Sequence, residues 1–231
     1  MIEEPPLLTI KRPARRPTAA QIEAFQRLPS SIVLDAMDGK GALDNSIRAL
    51  DPANLPAHVA GPALTADNGP GDVLALFAAL EFVQPGDVVV STYNGFQKAA
   101  GLGDRVAGMI KNAGAVGVVL DAPVRDIEGI LPVGLGIWST GLTPASPVSN
   151  GPGRVGLPIQ IGEQYVDTGD MIVADRDGVV VVPFAEIDAV SKRAVEILAL
   201  EAGLDQKVKD GQVGFDHIKT LLKGDRIHWL D

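Results

Sequence analysis

Two short apolar runs most constrain how this chain can fold. Residues 87–91 and 115–120 read as strands rich in Val, with no polar alternation, as expected where both faces of a strand are covered. Between them, residues 104–112 place Val106, Met109 and Ile110 at helical spacing, and Gly114 supplies a stop. Strand, helix and strand at this separation predict a right-handed parallel crossover, hence an α/β fold.

The crossover also predicts where chemistry would sit. Asp104 opens the helix, and Arg125 and Asp126 follow the second strand. A helix of this length runs about 15 Å from the sheet edge, and a six-residue strand returns about 20 Å. All three side chains are therefore expected at one edge, beyond the carboxyl ends of parallel strands, where α/β proteins bind ligands. The amides of Gly103 to Val106 would lack helical partners and could hold an anion. Arg125 offers a planar fork suited to a carboxylate. Asp104 and Asp126 could bind a hard cation such as Mg²⁺ or Mn²⁺, which keeps much of its hydration shell. On spacing alone the alternatives stay open: Asp104 as an ordinary helix cap, and Arg125-Asp126 as an exposed turn or simple ion pair.

Elsewhere the pattern is coarser. Thr18 is a candidate cap for a short helix, Ser30 or Ser31 for a second that ends at Gly39. Residues 58–66 read as a strand, and Asp72 as the cap of a helix carrying Val73, Leu76, Phe77 and Leu80. Short strands are expected at 131–135, 154–161, 171–174 and 179–182, and helix returns over 184–222. The expected organisation is an extended arm over 1–17, a main domain over 18–200 and a helical tail over 201–231.

Bulk properties exclude several functions. The chain has 231 residues and no cysteine, so disulfides and thiolate metal sites are ruled out. Its net charge of −9 disfavours nucleic-acid binding, which needs a basic face. The basic cluster of Lys11, Arg12, Arg15 and Arg16 is read as an arm that packs on a neighbouring subunit. No signal peptide or membrane span is apparent, which implies a cytoplasmic protein. Gly151-Pro152-Gly153-Arg154-Val155-Gly156 spells a dinucleotide fingerprint but precedes a strand, so its context fails. Asp175, Asp177 and Gly178 lack the closing Glu of a calcium loop and read as a tight turn. His58, His217 and His228 have no metal-ligand spacing, and Trp138 and Trp229 read as packing residues.

The stretches Pro85-Gly86-Asp87-Val88-Val89-Val90, Gly103-Asp104, Gly117-Val118-Val119-Leu120-Asp121 and Val124-Arg125-Asp126 resemble the 4-hydroxy-4-methyl-2-oxoglutarate aldolase family. That family also holds the RraA-type regulators of ribonuclease E activity. Further matches are Ala60-Gly61-Pro62-Ala63-Leu64-Thr65, Pro132-Val133, Gly169-Asp170 and Asp175 through Pro183, so the likeness spans roughly residues 30–190. An Asp, twenty residues and then Arg-Asp is the family's diagnostic pattern, and Asp104 with Arg125-Asp126 matches it without a gap.

The resemblance implies a mixed α/β sandwich of the swivelling β/β/α, phosphohistidine-domain type. It implies a metal-dependent carbon–carbon lyase that releases pyruvate from 4-hydroxy-2-oxo acids or decarboxylates oxaloacetate. Gly103, Asp104, Arg105 and Val106 would line the substrate, with backbone amides on the pyruvate carboxylate. Arg125 would stabilise the enolate, and Asp126 would anchor Mg²⁺, Mn²⁺ or another divalent cation, partly through waters. Asp104 would orient a metal-bound water that serves as acid or base. A homotrimer or homohexamer is implied, with an acidic residue donated by a neighbour, for which Glu196 and Glu201 are candidates. The alternative is a non-catalytic regulatory binding protein of the ribonuclease E inhibitor type. The chain departs from its relatives at Ala122-Pro123, where Gly is usual, and in the loop 92–102, which puts substrate choice in doubt more than reaction type.

Overall fold

A computed structural model describes residues 6–230. In chain order the elements are β1 (Leu8–Ile10), α1 (Ala19–Phe25), α2 (Ser30–Ala36), β2 (Arg48–Ala49), β3 (Val59–Asp67), α3 (Leu74–Ala79), β4 (Val88–Thr92), α4 (Asp104–Asn112), β5 (Gly117–Leu120) and α5 (Ile127–Ile130). They continue with β6 (Gly136–Ser139), β7 (Gly153–Val155), β8 (Ile159–Ile161), β9 (Gln164–Val166), β10 (Met171–Ala174), β11 (Val179–Val182), α6 (Ile187–Lys209) and α7 (Asp216–Leu221). Residues up to Ala194 form one compact unit and those from Val195 a second. The second unit holds the later part of α6 and all of α7. No helix among the described residues is long and apolar enough to cross a membrane.

The first unit is a mixed α/β structure. Its sheet runs β1-β7-β3-β4-β5-β6-β2, with β10 and β11 joined through β3. Strands β3, β4, β5 and β6 are parallel neighbours, with Leu64 opposite Val89 and Val89 opposite Val118. The long β3 serves two partners. Its first half, from Val59 to Pro62, pairs antiparallel with β10, and its second half pairs with β4. A small hairpin of β8 and β9 stands apart from these strands in pairing.

Hydrophobic burial explains the apolar runs of the central strands. Val89, Val118, Leu120 and Ile137 face Leu76, Ala107, Ile110 and Ile130 of the helices. Val88, Val90, Val119 and Trp138 point the other way, onto Ile161, Val166, Ile172 and Val181. Alternate residues thus serve alternate faces, and both faces are covered.

Three local expectations need correction. Residues 131–135 are not a strand: Leu131–Val133 is a 3-10 turn with Pro132 in its first positions, and Gly134 at φ 67° ends it, so the strand starts only at Gly136. The expected strand 154–161 is broken into β7 and β8 by Gly156 and Pro158. Gly156 sits at φ 74°, where a Cβ would lie 1.9 Å from the carbonyl oxygen of Lys11. Helix α2 is not capped by Ser30 or Ser31. The Asp175 carboxylate caps it instead, accepting from the Ser30 amide at 2.7 Å and its hydroxyl at 2.6 Å. The described part of the basic arm folds onto its own chain: β1 pairs parallel with β7, Arg15 bonds to Asp167 and Asp170 at 3.0 Å, and Arg16 pairs with Asp87. Thr18, by contrast, caps α1 in a reciprocal capping box with Gln21, as the sequence pattern predicts.

Candidate active site

The loops leaving β4 and β5 build the site, and one half-buried carboxylate holds them together. Asp121, at the end of β5, accepts from the Thr92 hydroxyl at 2.9 Å, the Tyr93 amide at 2.6 Å and the Gly95 amide at 3.1 Å. Its own carbonyl accepts from Gln97 at 2.8 Å. Burial pushes the Asp121 carboxyl above its ordinary pKa of 3.8, although these donors oppose the shift. Tyr93 is buried and donates its hydroxyl to the Gly101 carbonyl at 2.7 Å. Burial raises that phenol far above 10.0, so it remains a donor at any working pH.

Beyond Gly101 the two loops run side by side. The Gly101 amide donates to Pro123 at 2.8 Å, Leu102 and Val124 form a parallel bridge, and the Arg125 amide donates to Leu102 at 3.0 Å. This register brings Gly103 against Arg125 and Asp126. A Cβ on Gly103 would sit 2.9 Å from Asp126 Oδ2 and 3.3 Å from Arg125 Nε. A side chain at this position would have to displace those two charged groups.

Arg125 Nε lies 3.2 Å from Asp126 Oδ2, and a terminal nitrogen of Arg125 donates to the Ser146 hydroxyl at 2.6 Å. Both charged side chains are partly open, at 35% and 45% exposure. Asp126 has φ 61°, a left-handed conformation that Asp tolerates better than most residues, and it precedes α5. Asp104 is the first residue of α4. Its Oδ1 accepts from the Arg105 amide at 2.7 Å, and its carboxylate lies over Gly129 of α5. Among the described residues, the amides of Gly103, Asp104 and Val106 have no acceptor.

All six residues singled out from sequence, Gly103, Asp104, Arg105, Val106, Arg125 and Asp126, line one cavity of about 770 Å³. Its remaining lining is mostly apolar and includes Phe77, Leu80 and Met109. Sequence reasoning missed Gly129, Ser146, Tyr93 and Asp121. Spacing gave none of them a role, and their partners lie 8 to 29 residues away. The motifs set aside prove structural: Gly153 and Arg154 belong to β7, Asp175 caps α2, and His58 Nε2 lies 3.0 Å from the Leu28 carbonyl.

Residues 30–181 match the model of the RraA-like family, described as Aldolase/RraA. The chain is 34% identical over 189 residues to a Halalkalibacterium halodurans protein named "Putative 4-hydroxy-4-methyl-2-oxoglutarate aldolase", covering 82% of this chain and 89% of the relative. It is 31% identical over 104 residues to the 4-hydroxy-4-methyl-2-oxoglutarate aldolase of Thermus thermophilus, covering 45% of this chain and 63% of that protein. Among solved structures it resembles Streptomyces coelicolor RraAS2, described as an unusual member of the RNase ES inhibitor RraA protein family. The TM-score is 0.74 and the identity 30%, over 83% of this chain and all of that one.

Proposed function

The chain belongs to the RraA-like family, and on that footing we propose that it is a divalent-metal-dependent carbon–carbon lyase working through the enolate of pyruvate. One observation carries the reading: Asp104, Arg125, Asp126 and unpaired amides of one helix start converge on a single cavity.

Among the described residues no group of three or more His, Cys, Asp or Glu side chains could hold an ion, so the site offers no closed cage. It offers two carboxylates in one cavity, one of them half exposed. That fits Mg²⁺ or Mn²⁺, which bind through one or two carboxylates, waters and substrate oxygens. When bound beside Asp126, such an ion supplies Lewis-acid polarisation of the keto oxygen.

The protein's own residues do the rest. The amides of Gly103, Asp104 and Val106 hold the substrate carboxylate, and the Arg125 guanidinium sits where enolate charge develops. For a 4-hydroxy-2-oxo acid, Asp104 accepts the C4 hydroxyl proton through a water. The C3–C4 bond breaks, its electron pair stays on the pyruvate fragment, and a carbonyl compound leaves. Return of a proton to C3 gives pyruvate. With oxaloacetate the same bond breaks, carbon dioxide leaves and the same enolate is protonated. The reading carries with it a swivelling β/β/α sandwich and a homotrimer or homohexamer with a neighbour's Glu196 or Glu201 near the site.

Pyruvate release from oxaloacetate and a panel of 4-hydroxy-2-oxo acids, followed through lactate dehydrogenase, tests the proposal. Activity should require Mg²⁺ or Mn²⁺ and stop on adding a chelator. Arg125→Ala and Asp126→Ala should each lose at least about 100-fold in kcat with an unchanged circular dichroism spectrum. Normal turnover by either variant refutes the assignment. The similarity to RraAS2 supports a second reading, a regulatory binding protein. Ribonuclease inhibition without metal-dependent pyruvate release would favour it.

A further inference from the structure

The segment 140–152, between β6 and β7, is pinned along the loops that build the site. The Val124 amide donates to the Gly141 carbonyl at 2.8 Å, and the Thr143 amide donates back to the Val124 carbonyl at 2.9 Å. The Ala100 amide donates to the Ala145 carbonyl at 3.0 Å, and Val148 exchanges bonds of 2.9 Å with Gly71 and Val73. At the far end the Asp72 carboxylate accepts from the amides of Asn150 and Gly151 at 2.6 and 2.9 Å. Ser146, itself exposed, sits between these anchors. Pro147 follows it and disfavours helical backbone at Ser146.

The Ser146 hydroxyl accepts from Arg125 Nη1 at 2.6 Å. A partly exposed arginine has many rotamers open to it, so its fork stays in one place only if something holds it. Asp126 alone is a poor restraint. Its carboxylate is also partly open, and a cation bound beside it competes with the guanidinium for the same oxygens. The Ser146 hydroxyl is neutral, and a segment anchored on both sides carries it. Arg125 is thus tethered at Nε and Nη1, and among the described residues its Nη2 has no partner. That nitrogen is left to meet a ligand.

We propose that Ser146 is a positioning residue for the lyase reaction: the anchored segment holds its hydroxyl, and the hydroxyl holds the Arg125 guanidinium where enolate charge develops. The inference rests on the lyase reading, in which Arg125 meets the enolate. Ser146 acts through Arg125, and Arg125 meets a charge that the bound substrate does not yet carry. The effect therefore belongs to kcat and not to KM. Oxalate, a planar dianion, resembles the enolate of pyruvate, whereas pyruvate itself carries one charge. Oxalate binding should depend on Ser146, and pyruvate binding should not.

Ser146→Ala and Ser146→Thr, in the full chain with Mg²⁺ in excess, test it by pyruvate release from the panel above and by calorimetric titration with oxalate and pyruvate. Ser146→Ala should lower kcat by about 10- to 100-fold and leave KM within about threefold of the parent. Oxalate affinity should fall by about the same factor as kcat, with pyruvate affinity within about threefold of the parent. Ser146→Thr keeps the hydroxyl and should stay within about threefold of the parent in every readout. In an Arg125→Ala background, Ser146→Ala should cost no further oxalate affinity, because the hydroxyl has lost its donor. Since Ser146 is exposed, both variants should keep the parent's circular dichroism. Parent-like kcat in Ser146→Ala overturns the inference while keeping the lyase reading. So does a Thr variant as impaired as the Ala variant, an equal loss of oxalate and pyruvate affinity, or an undiminished loss in the Arg125→Ala background. No pyruvate from any compound of the panel with the parent chain removes the lyase reading, and this inference with it.

Discussion

Gly129→Ala is the sharpest test of how the site is held, because it strikes Asp104 without touching any charged group. A Cβ at Gly129 would lie 2.5 Å from Asp104 Oδ2, 2.7 Å from its Cβ and 3.0 Å from its Cγ. Ordinary contact begins near 3.4 Å, so relief needs a shift of about 0.7–1 Å. Rotating the carboxylate cannot supply it, since the Asp104 Cβ is itself too close and is fixed to the backbone of α4. Either α4 or α5 must move, and with it one of the two carboxylates of the site. A displacement of about 1 Å costs on the order of 100-fold in rate, and overpacking costs about 1–3 kcal/mol. Steady-state kinetics on oxaloacetate should show the loss mainly in kcat, and calorimetry a fall of about 2–4 °C per kcal/mol. Gly108→Ala is the control, on α4, the helix that Asp104 begins. Nothing lies within 4 Å of its would-be Cβ, so it should stabilise by about 0.5–1 kcal/mol and leave kcat alone. If Gly129→Ala keeps kcat within about threefold of the parent, or Gly108→Ala loses as much, the packing of Asp104 on Gly129 is not what positions it.

Two further perturbations address the loops beneath the site. Tyr93→Phe removes the 2.7 Å bond to the Gly101 carbonyl and leaves that buried acceptor unpaired, a loss of about 1–3 kcal/mol. Since Gly101 leads into Gly103, the melting temperature and kcat should fall together, and a variant that matches the parent in both would show that the bond does not set the loop. Asp121 has a folded pKa above its ordinary 3.8 through burial. The folded state therefore binds more protons than the unfolded one above that pH. Its stabilising contribution is full below pH 3.8 and is lost as pH rises through the folded value. Asp121→Asn does not titrate, so its melting temperature relative to the parent should climb as pH rises above 3.8. Melting profiles that stay parallel as pH rises above 3.8 would contradict the assignment.

The sequence made the scaffold legible where one physical rule dominates. Val88–Thr92 and Gly117–Leu120 are strands covered on both faces, so their burial leaves an unbroken apolar signature, and α4 begins at Asp104 and ends at Asn112 as its spacing predicts. The same rule fails at residues 131–135, where a short apolar run fits strand and turn equally and Pro132 decides for the turn. Charges were harder still. Arg15 and Arg16 find carboxylates 71 to 155 residues away, and Asp175 caps a helix 145 residues earlier. Neither pairing leaves a local trace.

For the site itself, the sequence could place Asp104 and Arg125-Asp126 at one sheet edge, because element lengths fix where a chain returns. What it could not express is why they line one cavity. That depends on the bare Cα of Gly103 under Asp126, the bare Cα of Gly129 under Asp104, and the positive φ of Asp126. A glycine in a sequence looks the same whether it serves a turn, a helix end or a close approach. The chemistry of this site is therefore written in its charged residues, and its geometry in residues defined by what they lack. Substitutions that add a single carbon at Gly103 or Gly129 should accordingly damage catalysis more than their size suggests.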